Sequence, residues 1–295
     1  MKQILILSGK GGSGKTSVSA SLAHLAHQDT LRTVLADADV DAANLELLLS
    51  PTILEEHEFI GGKTASINPE LCIGCGICQS VCRFDAVLEN NDLYSIDPVA
   101  CDGCASCMHQ CPVDAITLEA QKAGTWFRSE CRFGPLFHAA LLPAQDNSGK
   151  LVALVKQQAR QLAELEEYPL MIADGPPGIG CPVIAAMSGV DLALIIAEPS
   201  LAGVHDMQRA VEITQHFRIP VVVCINKADI YLEGSELIAA YCQEQGIDLV
   251  GKIPFDSQVT EAMVNGQPIT VYMPDAPAAV ELAKLWAALK SRIFM

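Results

Sequence analysis

The sequence predicts an α/β fold, a mostly parallel, doubly wound sheet, with a small cysteine-rich α+β module inserted in it. Three observations carry this expectation. Short apolar runs alternate with helix-like segments at both ends of the chain. A glycine-rich loop joins the first of those runs to the first helix. Eight of the twelve cysteines fall in two evenly spaced quartets in between.

Residues 3–7 read as a short buried strand, 9–15 as a loop, 16–28 as a helix and 33–36 as the next strand. The alternation resumes with strands at 170–173, 192–197 and 221–225 and helices near 204–217, 235–245 and 278–290. Such a pattern gives a sheet covered by helices on both faces. From about residue 57 to residue 120 the chain is rich in Gly and Cys, and no long helix can be drawn. This divides the chain into a first α/β part (1–56), an insert (57–122) and a second α/β part (123–295). The insert repeats itself with an offset of 29 residues: Cys72, Cys75, Cys78 and Cys82 map onto Cys101, Cys104, Cys107 and Cys111, and Phe84-Asp85-Ala86-Val87 onto Val113-Asp114-Ala115-Ile116.

The chain of 295 residues, half of them apolar, is long enough for a real core. Its net charge of -16, from 35 acidic and 19 basic residues, repels phosphate backbones and anionic lipid, so neither nucleic acid nor a membrane surface is an expected partner. The apolar run after Met1 is too short for an export signal, and no window reaches the roughly 18 apolar residues needed to span a bilayer. The expected location is the cytoplasm, a reducing compartment in which regularly spaced thiols read as metal ligands.

Gly9-Lys10-Gly11-Gly12-Ser13-Gly14-Lys15-Thr16 satisfies GxxxxGK[ST] between a strand and a helix, where backbone N–H groups and the helix N-terminus can wrap phosphates. Lys15 is expected at the β- and γ-phosphates and the Thr16 hydroxyl on Mg2+. With its second lysine, Lys10, the loop resembles the deviant Walker A motif of MinD, ParA, Mrp and the nitrogenase iron protein. The resemblance implies an ATPase that forms a homodimer with nucleotide, Lys10 reaching the partner's nucleotide. Asp37-Ala38-Asp39 resembles switch I of that family, which implies that Asp39 orients the attacking water and lies at Mg2+. Asp174-Gly175-Pro176-Pro177-Gly178 is similar to Walker B and switch II, which implies a magnesium-bound water on Asp174 and a γ-phosphate sensor in Gly178. Asn226-Lys227-Ala228-Asp229 fits the NKxD pattern that reads guanine. In the MinD-like family, however, that asparagine contacts adenine, and Ile253-Pro254-Phe255-Asp256 resembles its base-binding loop, with Pro254 and Asp256 at the nucleotide. ATP is favoured, and Asp229 keeps GTP open.

The quartets Cys72-x2-Cys75-x2-Cys78-x3-Cys82 and Cys101-x2-Cys104-x2-Cys107-x3-Cys111-Pro112 have the spacing of bacterial two-cluster ferredoxins, in which the fourth cysteine of each run ligates the other cluster. One 4Fe-4S cluster is therefore expected on Cys72, Cys75, Cys78 and Cys111, and the second on Cys82, Cys101, Cys104 and Cys107. Structural zinc is the competing reading of paired CxxC. Of the other cysteines, Cys224 and Cys242 read as core. Cys181 lies seven residues after Asp174, the interval that leads to a cluster ligand in the nitrogenase iron protein; a packing role competes with a bridging cluster for which Cys131 is the only further ligand to offer. The apolar face of 280–295 reads as a helix packed on the sheet rather than a membrane-binding one.

The resemblance covers nearly the whole chain, and the group it resembles most is the MinD-superfamily ATPases with an inserted ferredoxin domain. It implies an ATP-hydrolysing iron-sulfur protein whose dimer couples nucleotide state to electron transfer toward a redox or cluster-accepting protein. An Mrp-like carrier for cluster or metallocofactor assembly, and a MinD-like regulatory switch with redox-sensing clusters, are the alternatives.

Overall fold

Gln3 to Ser8 are buried on both faces in β1 (Lys2–Ser8), the pattern of a central strand in a parallel sheet. Residue by residue, the computed structural model describes 1–91, 93–143, 145 and 147–294. After β1 come α1 (Lys15–Gln28), β2 (Thr33–Asp37), α2 (Leu45–Leu49) and β3 (Thr52–Ile67). The cysteine-rich segment holds α3 (Ile77–Ser80), β4 (Val87–Asn90), β5 (Leu93–Ile96) and α4 (Ser106–His109), and is followed by β6 (Ile116–Cys131) and β7 (Gly134–Leu141). The rest alternates: α5 (Ser148–Leu165), β8 (Leu170–Pro177), α6 (Cys181–Ala186), β9 (Leu192–Ala197), α7 (Leu201–His216), β10 (Val221–Asn226), α8 (Leu232–Gln245) and β11 (Asp248–Ile253). It ends with α9 (Ser257–Val264), α10 (Ile269–Tyr272) and α11 (Pro277–Ile293).

Chain contacts divide the molecule into two units, 1–56 with 126–140 and 148–295, and 57–125 with 141–147. In the first, the strand order β11-β10-β9-β1-β8-β2-β7 is parallel at every pairing, and β6 and β3 continue the sheet beyond β7. Alternate strand residues such as Ile4, Ile6, Leu35, Ile172 and Leu194 pack with α1 and α11 in one core cluster. Residue 295 lies outside the described residues, but Leu282, Leu285, Trp286, Leu289 and Ile293 of α11 are buried, as a sheet-packed helix requires. Among the described residues no helix is long and apolar enough to cross a membrane.

In the second unit the sequence repeat is also a conformational repeat. Gly74 and Gly103 share φ +68°, Asp85 and Asp114 have φ +51° and +52°, and α3 maps onto α4. The copies interlock, because Asn68 N–H donates to Ala115 O and its counterpart Asp97 N–H donates to Ala86 O, both at 2.8 Å. Its apolar cluster is small: among the described residues Ala65, Cys78, Val87 and Ile116 are the buried members, with nine cysteine-quartet or apolar neighbours such as Cys82, Cys107 and Tyr94 only partly covered.

Candidate functional site

The register pairs Ile6 of β1 with Asp174 of β8, and Asp174 with Asp37 of β2, so three strand ends bring the glycine loop and two carboxylates together at the carboxyl edge of the sheet. A cleft there is lined by Gly11, Gly12, Ser13, Gly14, Lys15 and Thr16, with Asp39, Asn226, Pro254 and Asp256. Gly14, at φ +90°, must be glycine, because a Cβ would lie 2.2 Å from the Asn226 amide. That amide donates to Ser13 O at 2.8 Å and braces the loop.

Lys15 Nζ lies 3.3 Å from Asp39 Oδ2 and 3.5 Å from Asp174 Oδ1 and is 6% exposed. Burial works against its charge, but Asp174, Asp39 and Asp37 outweigh it and raise its pKa. Ser19 Oγ–H fixes Asp174 Oδ1 at 2.9 Å, while Asp174 Oδ2 is buried with no hydrogen-bond partner. An orphaned buried carboxylate oxygen is costly unless something binds it. With the hard oxygens of Thr16 and Asp39 available, the donor set fits hydrated Mg2+.

Asp37, which the sequence reading assigned no role of its own, is the organiser of this edge. Its carboxylate accepts from the backbone N–H of Asp39 at 3.1 Å, Asn44 at 3.2 Å and Leu45 at 3.0 Å. Burial, and then the charge of Asp174, push it up to about 8, against those amides and Lys15.

Five residues expected at the site, Gly9, Lys10, Asp174, Gly178 and Asp229, are absent from the cleft wall. Lys10 turns onto its own chain, 3.3 Å from Glu198 Oε2 and 3.4 Å from Ser200 Oγ. Gly9 packs against Asp206, where a Cβ would meet the backbone carbonyl carbon at 2.4 Å, and Gly178 N–H donates to Ser8 O at 2.9 Å. Asp41 and Asn44 line the cleft without a sequence signal, and Lys227 and Phe255, which fall inside quoted motifs but were given no role, line it too.

The eight quartet cysteines line two separate cavities in the second unit. One is walled by Cys72, Cys75, Cys78 and Cys111. The other is walled by Cys82, Cys101, Cys104 and Cys107. Among the described residues no three His, Cys, Asp or Glu side chains converge as the ligands of a single ion. Four cysteines in each wall are the donor chemistry that a 4Fe-4S cluster takes. Ala86 N–H donates to Cys82 Sγ at 3.4 Å and Ala115 N–H to Cys111 Sγ at 3.3 Å, contacts that favour a thiolate ligand.

Residues 4–269 match the family model of the CobQ/CobB/MinD/ParA nucleotide binding domain. The chain belongs to this family. An uncharacterized protein of Methanocaldococcus jannaschii is 35% identical over 263 residues, 89% of this chain and 88% of that one. The iron-sulfur cluster carrier protein of Pyrococcus horikoshii is 34% identical over 153 residues, 46% of this chain and 51% of the carrier. Among solved structures, the septum site-determining protein MinD of Pyrococcus horikoshii, complexed with Mg-ADP, is similar with a TM-score of 0.59 at 15% identity, covering 99% of this chain and 96% of that one, a likeness of fold alone.

For a member of the CobQ/CobB/MinD/ParA family, the base side of the cleft departs from a guanine reader. Asp229 is absent from the cleft wall, and its Oδ1 accepts from Phe255 N–H at 2.6 Å, fastening the loop at 253–256. Asp256 is spent on capping α9, accepting from Gln258 N–H at 3.0 Å. Asp229→Asn is expected to weaken ATP and GTP in parallel, with their Kd ratio changing by less than about threefold in competition with a fluorescent nucleotide. A loss confined to GTP of about tenfold or more, the cost of one charge-assisted hydrogen bond, would assign Asp229 to the base.

Of the remaining thiols, Cys131 is buried and donates to Gly134 O at 3.1 Å, and burial pushes its pKa up, so it behaves as a core residue rather than a bridging ligand. Cys224 and Cys242 are buried, as their apolar surroundings led one to expect. Cys181 is exposed at the start of α6.

Proposed function

We propose that the protein is an ATPase in which a nucleotide-dependent homodimer couples the state of ATP to electron transfer through two 4Fe-4S clusters toward a protein partner. The observation that carries this reading is the sorting of eight cysteines into two cavities, four in each, on a chain that also carries a cleft lined by the phosphate loop.

On the nucleotide side, the amides of 11–15 cradle phosphate and Lys15 exchanges Asp39 and Asp174 for the β- and γ-phosphates. That exchange frees Asp39 to orient water. Thr16, Asp39 and the open Oδ2 of Asp174 would hold Mg2+, which neutralises charge developing on the γ-phosphate. Lys10 is held by a partly exposed pair with Glu198, worth about 1 kcal/mol or less, and so can leave for a partner's nucleotide. On the cysteine side, the clusters would supply one-electron chemistry. Cys75 and Cys104 are exposed, giving each site an edge at the surface where an acceptor can approach.

The test is potentiometry of anaerobically prepared protein with and without ATP. A shift of the cluster potentials supports coupling. Unchanged potentials, together with transfer of iron and sulfide to an apo-acceptor, support the second reading, a cluster carrier, which the similarity of half the chain to a protein of that name favours. Lys10→Ala is expected to abolish both hydrolysis and ATP-dependent dimerisation, followed by phosphate release and light scattering. Normal hydrolysis in that variant would exclude the sandwich dimer.

A further inference from the structure

A polar chain outside the cleft, buried at Ser129 and His138 and half-exposed at Glu46, links the helix after Asp39 to the strands on either side of the β6–β7 turn. Glu46 of α2 places Oε2 3.1 Å from His138 Nδ1 on β7, and His138 Nε2 lies 2.9 Å from Ser129 Oγ on β6. One tautomer of neutral imidazole satisfies both contacts, with Nδ1–H donating to Glu46 and Nε2 accepting the Ser129 hydroxyl proton. Ser129 and His138 are 0% and 3% exposed, and the imidazole stacks on Phe127 with ring centroids 5.0 Å apart. Ser129 has no solvent path, so this is no nucleophile site.

The same turn grips the other end of α2. Arg132 Nη2 donates to Leu48 O and to Gly266 O, both at 2.9 Å. Gly266 follows α9, whose Val259, Thr260 and Met263 line the cleft, and Leu47 and Leu48 of α2 line it too. The turn is thus fastened to two segments that face nucleotide. From it β6 runs as one strand of 16 residues, of which 126–131 belong to the first unit and 116–125 to the second. Apolar side chains could pack these strands at lower desolvation cost, so a directional network here calls for a reason beyond packing.

We propose that Glu46, His138 and Ser129 form a positioning relay through which nucleotide-dependent rearrangement of residues 39–48 is imposed on β6 and β7, and through β6 on the cysteine-bearing unit. The inference rests on the coupling proposed above. Binding ATP draws Lys15 off Asp39, which alters the loop that Asp37 suspends, and α2 is the continuation of that loop. The relay transmits only if its hydrogen bonds are made, so an acceptor at position 46 is required and a charge is not.

The experiment is amide hydrogen exchange over 126–131 and 134–140 in the full chain, with and without a non-hydrolysable ATP analogue and Mg2+. The wild type is expected to show exchange slowed about tenfold by nucleotide, a coupling of ordinary size. Glu46→Ala, altered at a half-exposed carboxylate, is expected to lose that response while hydrolysing ATP within about threefold of wild type, because Asp37 still holds the loop. Glu46→Gln keeps an acceptor and is expected to restore the response, and His138→Phe to abolish it. A full response in Glu46→Ala, or none in the wild type, would overturn the relay. A responsive wild type whose cluster potentials ignore ATP would leave the relay standing and sink the electron-transfer reading.

Discussion

Lys15→Ala is expected to lower ATP hydrolysis by at least about 10³-fold, beyond the loss of a single transition-state donor, because the same ammonium also binds ground-state phosphate. A second effect distinguishes this lysine from a simple ligand. Removing it leaves Asp39, Asp174 and Asp37 facing one another with no cation, and stripping one partner from a buried pair costs about 3–5 kcal/mol. The sign with pH follows from the carboxyls. Asp37 already titrates at about 8 in the folded chain, against an ordinary value of 3.8. Without Lys15 the folded-state values of Asp37 and Asp39, both already raised by burial and lowered by Lys15, rise further, so folding retains protons that the unfolded chain gives up. The variant's stability is therefore intact below the unfolded pKa and is lost as pH rises through the folded values. Urea unfolding of the nucleotide-free protein should place Lys15→Ala close to wild type near pH 4 and well below it near pH 8. A deficit that stays constant across this range would mean that the carboxylates are not coupled through Lys15.

Cys111→Ser is expected to cost the site in the other repeat. Iron should fall from about eight to about four per chain, and the surviving signal should belong to Cys101, Cys104 and Cys107, although Cys111 follows them in sequence. Cys82→Ser should do the reverse. Zinc in place of iron in the anaerobic protein, or loss of the neighbouring trio's signal in Cys111→Ser, would reject the crossed assignment. Removing all iron has a larger consequence. An apolar cluster of four buried residues, one of them Cys78, with buried alanines such as Ala86 and Ala115 beside it, is too small to hold 57–125 by apolar burial alone. Chelation is expected to unfold that unit while the sheet keeps its exchange protection.

Legibility followed the type of signal. The strands at 192–197 and 221–225 and the glycine loop were evident because continuous apolar runs and phosphate chemistry are local properties. The helix α5 was passed over although Leu151, Val152, Val155, Ala159 and Leu162 carry its period and are buried. Gly134-Pro135 reads as a turn and conceals β7, and Gly251 interrupts β11, where a Cβ would meet Cys224 Sγ at 3.1 Å. The polar, Gly61-Gly62-bearing β3 lies at the sheet's end, where a charged strand is tolerated, and so it has no apolar pattern to detect. Within the site, the cysteine sets were visible through spacing. The turning of Lys10 toward Glu198, the capping roles of Asp229 and Asp256 and the clasp of Asp37 were not, since each depends on partners distant in sequence.

That β3 and β6 are hydrogen-bonded neighbours means the polypeptide departs from the host sheet and rejoins it at adjacent points, like a hairpin whose tip has been enlarged. An ancestral graft at such a tip adds no crossover and reroutes none of the connections that build the phosphate edge. Changes in the cysteine-bearing segment and in the phosphate edge could then be selected almost independently. The two strands they share are the place where a change in one would be felt by the other.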